Sequence, residues 1–191
     1  MPTLNSEGFI TLERRVELLP YEPRPFVERE FMTDEEILTN AGSTLFLNVE
    51  SYPNYFCITF KLHGFNKFFT IECGERRSFN PKFLSWVMNN YRTVGFKSIN
   101  YYLIVIWLSY YHQDAAILKS ATNDLIVYDQ RPEEVKKKYN FFTFKTSHID
   151  LIEVAPLTGS LKLYGARIHT KASRSSLLIL TLIYLNSRLR S

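Results

Sequence analysis

Two polar side chains, Asn48 and Glu50, fall at the end of the first of two apolar runs, 44–49 and 55–62, that Ser51-Tyr52-Pro53-Asn54 separates in the 191-residue chain. Side chains two apart on a strand project from the same face. If this stretch is extended, an amide and a carboxylate therefore sit side by side near a strand end. The pair reads either as ordinary strand-end polarity or as part of a site, where a carboxylate is the group that a hard divalent cation requires. Other chemistry-bearing constellations are sparse. His63, His112, His148 and His169 lie far apart without partners at diagnostic spacing, and each reads as a surface or cap residue. There is no CxxC pair, no glycine-rich phosphate loop and no Gly-x-Ser-x-Gly elbow. Arg76 and Arg77 beside Lys82 could meet a phosphate backbone, but a solvated loop accounts for them better.

The elements that must position Asn48 and Glu50 follow from turn and cap chemistry. Runs at 44–50, 55–62 and 67–73 predict strands; Pro53-Asn54 and His63-Gly64-Phe65-Asn66 supply the turns, giving a three-stranded meander. Thr33-Asp34-Glu35-Glu36 is a capping box before a short helix to about residue 39. Asn80-Pro81 opens a second helix, over 80–90, in which Phe83, Leu84, Val87 and Met88 recur at helical spacing. A short strand over 93–96 returns beside the first. The run 101–111 is apolar all round; its β-branched content favours a strand. Residues 114–127 are amphipathic with Asp114 as cap. Residues 131–138 place acids first and lysines last, as the helix dipole prefers. Residues 147–154 predict another strand, with Asp150 at its edge.

The segment Asn48-Val49-Glu50 resembles the first motif, Asp-x-Glu, of the DEDD family of 3′–5′ exonucleases, which includes proofreading domains of phage DNA polymerases. The second motif, Asn-x-x-x-(Phe/Tyr)-Asp, resembles Lys97-Ser98-Ile99-Asn100-Tyr101-Tyr102, with spacing and Tyr101 kept but Lys97 and Tyr102 replacing the asparagine and aspartate. The third motif has no convincing counterpart. The resemblance covers roughly residues 44–169. It implies an α/β fold of the ribonuclease H-like class: a mixed sheet, antiparallel meander plus parallel strands, flanked by helices and incomplete at the C-terminus. It also implies a buried helix over 101–111, a strand of the His-Ile-Asp-Leu type at 148–151, and a division into an N-terminal arm (1–43), an exonuclease-like domain (44–170) and a divergent tail (171–191).

What the resemblance implies chemically is an emptied site. Family members use two Mg²⁺ or Mn²⁺ ions about 4 Å apart, held by four carboxylates. Asn48 and Tyr102 stand at ligand positions with neutral groups, and Glu50 is the one metal ligand still identifiable. Loss of one preorganised electrostatic group costs about 10²–10³ in rate, so the expectation is an inactive catalytic site at Asn48, Glu50 and Tyr102, with metal binding weak or absent. The same likeness places Tyr101, Lys97 and Ser51 where they would touch nucleic acid. Three functions stay open: a single-stranded DNA-binding remnant of phage type, a scaffold reused against a protein partner, and a non-functional remnant.

Bulk properties narrow the partners. Residues 1–40 carry nine acids and four bases, while the rest carries nineteen bases and ten acids. A basic body suits a polyanion, and an acidic arm could cover it. Cys57 and Cys73 fall inside predicted strands and read as buried thiols. No signal peptide is legible, and the apolar run 177–185 is shorter than the ~17–25 residues a membrane span needs. The expectation is a cytoplasmic protein without membrane contact, its tail a sticky apolar and basic segment.

Overall fold

The computed structural model describes residues 30–153, together with the backbone of a short antiparallel pair, β1 (Thr3–Leu4) and β2 (Ile10–Thr11). Most of the arm, residues 158–169 (where the sequence suggests a helix), the boundary at 170 and the tail over 171–191 lie outside the described residues. The described part is α/β: a mixed sheet flanked by helices. Its six strands are β3 (Glu30–Phe31), β4 (Thr44–Tyr52), β5 (Tyr55–Leu62), β6 (Lys67–Gly74), β7 (Arg92–Gly95) and β8 (His148–Asp150), in the order β3-β6-β5-β4-β7-β8.

The meander forms as turn chemistry predicts. β4 pairs with β5 down to Tyr52↔Tyr55, leaving Pro53-Asn54 as a two-residue turn. β5 then pairs antiparallel with β6, and Gly64 supplies the positive φ (84°) that the second turn needs. β7 and β8 add in parallel on the other side, and two-residue β3 adds in parallel to β6.

Five α-helices lie among the described residues, most of them opened by a side-chain cap. α1 (Asp34–Thr39) starts at a complete capping box, in which Thr33 Oγ1 accepts from the Glu36 amide at 3.2 Å and Glu36 accepts from the Thr33 amide at 3.0 Å. Glu36 also pairs with Lys67, which ties this helix to β6. α2 (Pro81–Asn90) is capped by Asn80, whose Oδ1 accepts from the Lys82 amide at 3.0 Å. α3 (Leu103–Tyr111) is a helix despite its β-branched residues, because Ile104 to Ser109 are buried consecutively and burial all round overrides the propensity. Asp114 caps α4 (Ala115–Ile126) by accepting from the Ala116 and Ile117 amides. α5 (Pro132–Lys138) ends with its three lysines in the last turn.

Strand alternation separates two apolar layers. Leu45, Leu47 and Val49 of β4, Phe56, Ile58 and Phe60 of β5, and Phe69 and Ile71 of β6 share one face and pack with Leu84, Val87, Trp107, Leu118 and Val135 of the helices. A smaller cluster of Phe46, Phe68, Val94, Phe96 and Leu151 forms with side chains of the opposite face. Cys57 and Cys73 are buried free thiols, Cys73 pushed up to about 11 by burial. Among the described residues, no helix is long and apolar enough to cross a membrane.

One strand is shorter than its sequence suggests. Residues 147–154 predict eight strand residues, but only His148–Asp150 pair. The Asp150 carboxylate accepts from the Ile152 amide at 3.2 Å and its carbonyl from the Glu153 amide at 3.2 Å, and this turn ends the strand.

Candidate functional site

The end of central strand β4 carries the site. Asn48 pairs in register with Thr59 and Glu50 with Cys57, so both project from the face opposite the main helical layer. Asn48 Nδ2 donates to Glu50 Oε1 at 2.9 Å. Neighbouring β7 pairs with β4 only as far as Phe46↔Val94 and stops at Gly95, which leaves the flank of Asn48 without a strand partner. Into that flank comes Tyr102, whose hydroxyl donates to Asn48 Oδ1 at 3.1 Å. Tyr102, Asn48 and Glu50 thus form one hydrogen-bonded chain, although 52 positions separate its ends.

Tyr102 reaches Asn48 because of an unusual turn. Lys97 takes a left-handed conformation (φ 54°), and residues Ser98–Tyr102 then form a π-helical turn that runs into α3. Such a widened turn re-aims side chains and is common at functional sites. Burial pushes the Tyr102 phenol up to about 12, helped by Tyr101 and by the charges of Glu50 and Asp150, so it is a neutral donor at physiological pH. Tyr101 packs against it with the rings tilted by 51° and their centroids 4.8 Å apart, and burial raises its phenol as well.

A second polar cluster holds this turn in place. Asp150 accepts from the Ser98 amide at 2.6 Å and from the Ile99 amide at 2.9 Å, satisfying donors that open the turn. His148 bridges two hydroxyls: Thr93 Oγ1 lies 2.8 Å from Nδ1 and Ser98 Oγ lies 2.7 Å from Nε2. Burial depresses the imidazole to about 4, against the opposing pull of Asp150, so the ring is neutral near pH 7. Gly95 makes the packing possible, because a Cβ there would come within 2.6 Å of the Ser98 side chain.

Asp150 ends the edge strand β8, as expected, but it is 4% exposed and its carboxylate accepts from backbone amides. These contacts correct one expectation: His148 is neither a surface nor a cap residue but the centre of a largely buried bridge. Arg77 is exposed, as a solvated loop residue would be, and paired with Glu72. The sequence reading missed Thr93 and Ser98 as supports, and the available signal was thin: one polar residue inside a short buried strand and another three positions after it.

The remaining expected residues divide. Lys97 is exposed at the mouth of the turn, and Tyr101 sits beside Tyr102. Ser51 falls on the opposite face from Glu50, where its hydroxyl is buried with no hydrogen-bond partner. Among the described residues no group of three or more His, Cys, Asp or Glu side chains could hold a metal ion. At the end of β4 the donors are one exposed carboxylate, one amide engaged at both ends and one neutral phenol. The chain matches no family model, no curated protein and no solved structure.

Proposed function

We propose that this chain is an exonuclease-like domain of ribonuclease H-like topology that binds single-stranded DNA weakly and does not hydrolyse it. The observation that carries the reading is the chain from Tyr102 through Asn48 to Glu50. Two segments that resemble separate exonuclease motifs meet in space, and they meet through the two residues that replace carboxylates. A sheet made of an antiparallel meander followed by two parallel strands supports the same topology.

The donor set does not fit a pair of hard divalent cations. Such ions need several anionic oxygens, and Glu50 alone is anionic. Asn48 fills the neighbouring ligand position, with its amide turned to Glu50 and its carbonyl to Tyr102. The phenol of Tyr102 fills the place of a second acid, and burial keeps its proton on. Hydrogen bonding among these three replaces what charge neutralisation by metal would do. Exposed Lys97 is the cation at this end of the sheet that a phosphate would meet.

The test is incubation of purified protein with labelled single-stranded DNA and Mg²⁺ or Mn²⁺. The reading predicts no release of nucleotides, and binding that falls steeply with salt. Chelator-sensitive release would overturn it.

A further inference from the structure

The end of α5 and the coil after it, residues 136–145, carry lysines and exposed aromatic rings beside the end of α3 away from Tyr102. We propose that this surface is a contact site for single-stranded nucleic acid, separate from the end of β4; the proposal rests on the single-strand binding proposed above and locates it.

The local fold presents these side chains deliberately. α5 closes with Asn140 in the left-handed region (φ 51°); the Asn140 amide donates to the Lys137 carbonyl at 3.4 Å and the Phe141 amide to the Lys136 carbonyl at 3.1 Å. This is a Schellman closure, and it reverses the chain within two residues. Phe141 then anchors the coil in the core, while Phe142 is left 72% exposed. Phe144 is also exposed; its ring meets Trp107 edge-on at 4.8 Å and lies parallel to exposed Tyr111 at 6.4 Å. The buried Trp107 and Phe141 thus fix a platform from which Phe142, Phe144 and Tyr111 face outward.

Charge identifies the occupant. Residues 131–147 hold five bases and two acids. Lys136 is paired with Glu133 and Lys138 with Asp124, but among the described residues Lys137 and Lys145 have no carboxylate partner. A groove of about 450 Å³ runs between Lys136, Lys137 and Phe142, with Glu133 also on its wall. Lysines with no carboxylate partner beside the exposed ring of Phe142, which stacks on no described aromatic residue, are the two components single-strand sites combine: phosphate contacts and base stacking. A helix dipole explains lysines at the end of α5, but it explains neither Lys145, seven residues past the helix, nor an exposed Phe142.

The experiment is fluorescence anisotropy of a labelled oligothymidylate with the full chain across a salt series, using Phe142→Ala, Phe142→Trp, the double change Lys137→Ala with Lys145→Ala, and Lys97→Ala. The proposal expects Phe142→Ala to weaken binding about tenfold and Phe142→Trp to retain it. The double lysine change should flatten the slope of log affinity against log salt by about 1.4. Wild-type binding that these changes leave intact, with Lys97→Ala alone weakening it, overturns the proposal and leaves single-strand binding at the end of β4 standing. No binding by the wild type overturns both.

Discussion

Two polar clusters lie within a few residues of each other on strands β4, β7 and β8, and they use similar groups to opposite ends. At β4 the carboxylate of Glu50 is exposed and meets one amide. At β8 the carboxylate of Asp150 is buried and accepts three backbone amides, while His148 joins two hydroxyls beside it. The buried cluster is saturated: its polar atoms are consumed in holding the π-helical turn. The exposed one is partly free, and its geometry is set by the turn that the buried one holds. Residue type does not separate a structural carboxylate from an accessible one; burial and the number of amides aimed at it do.

The contrast breaks most readily at Asp150. Asp150→Ala strands the buried Ser98 amide and should lower stability by about 3 kcal/mol in urea or thermal unfolding. Glu50→Ala, at an exposed position, should stay within about 0.5 kcal/mol. Equal costs at the two positions would erase the distinction.

His148 gives a pH signature. Its folded value is depressed to about 4, below an unfolded value near 6.5, so the unfolded state takes up the proton first. The contribution is intact above about pH 6.5 and is lost as pH falls towards 4, by about 3 kcal/mol. His148→Gln should be less stable at neutral pH and should flatten unfolding free energy between pH 6.5 and 4. A variant with the wild-type slope over that window would remove His148 from the account.

A smaller effect than at Asp150 or His148 is expected at the junction of the clusters. Tyr102→Phe deletes the hydrogen bond to Asn48 and keeps the ring, so it should cost about 1 kcal/mol. Because the turn is held by Asp150 and not by the phenol, the fold should otherwise be unchanged by circular dichroism.

Much of the frame was legible in the residues. Thr33 with Glu36, Pro53-Asn54, Asn80-Pro81 and Asp114 act through neighbours one to three positions away, and local chemistry of that kind reads directly from sequence. The shared face of Asn48 and Glu50 follows from the strand period alone. The long-range contacts were a different matter. His148 meets Ser98 and Thr93 across 50 and 55 positions because β8 pairs in parallel with β7, setting Thr93 opposite His148 and Gly95 opposite Asp150. No spacing rule encodes that register. The π-helical turn was hidden as well: a helix from about residue 101 fits the apolar run, whereas widening begins at Ser98, where two amides find a carboxylate 51 or more positions later.

The central claim is that this chain holds a single strand without cutting it. One time course tests it: anisotropy of a 5′-labelled single-stranded oligonucleotide with the full chain in Mn²⁺ at low salt. The predicted trace rises on mixing, stays level for hours and falls at once when salt is added. A trace that rises and then decays as the oligonucleotide shortens, with the decay stopped by chelator, would contradict the claim, as would no rise at all.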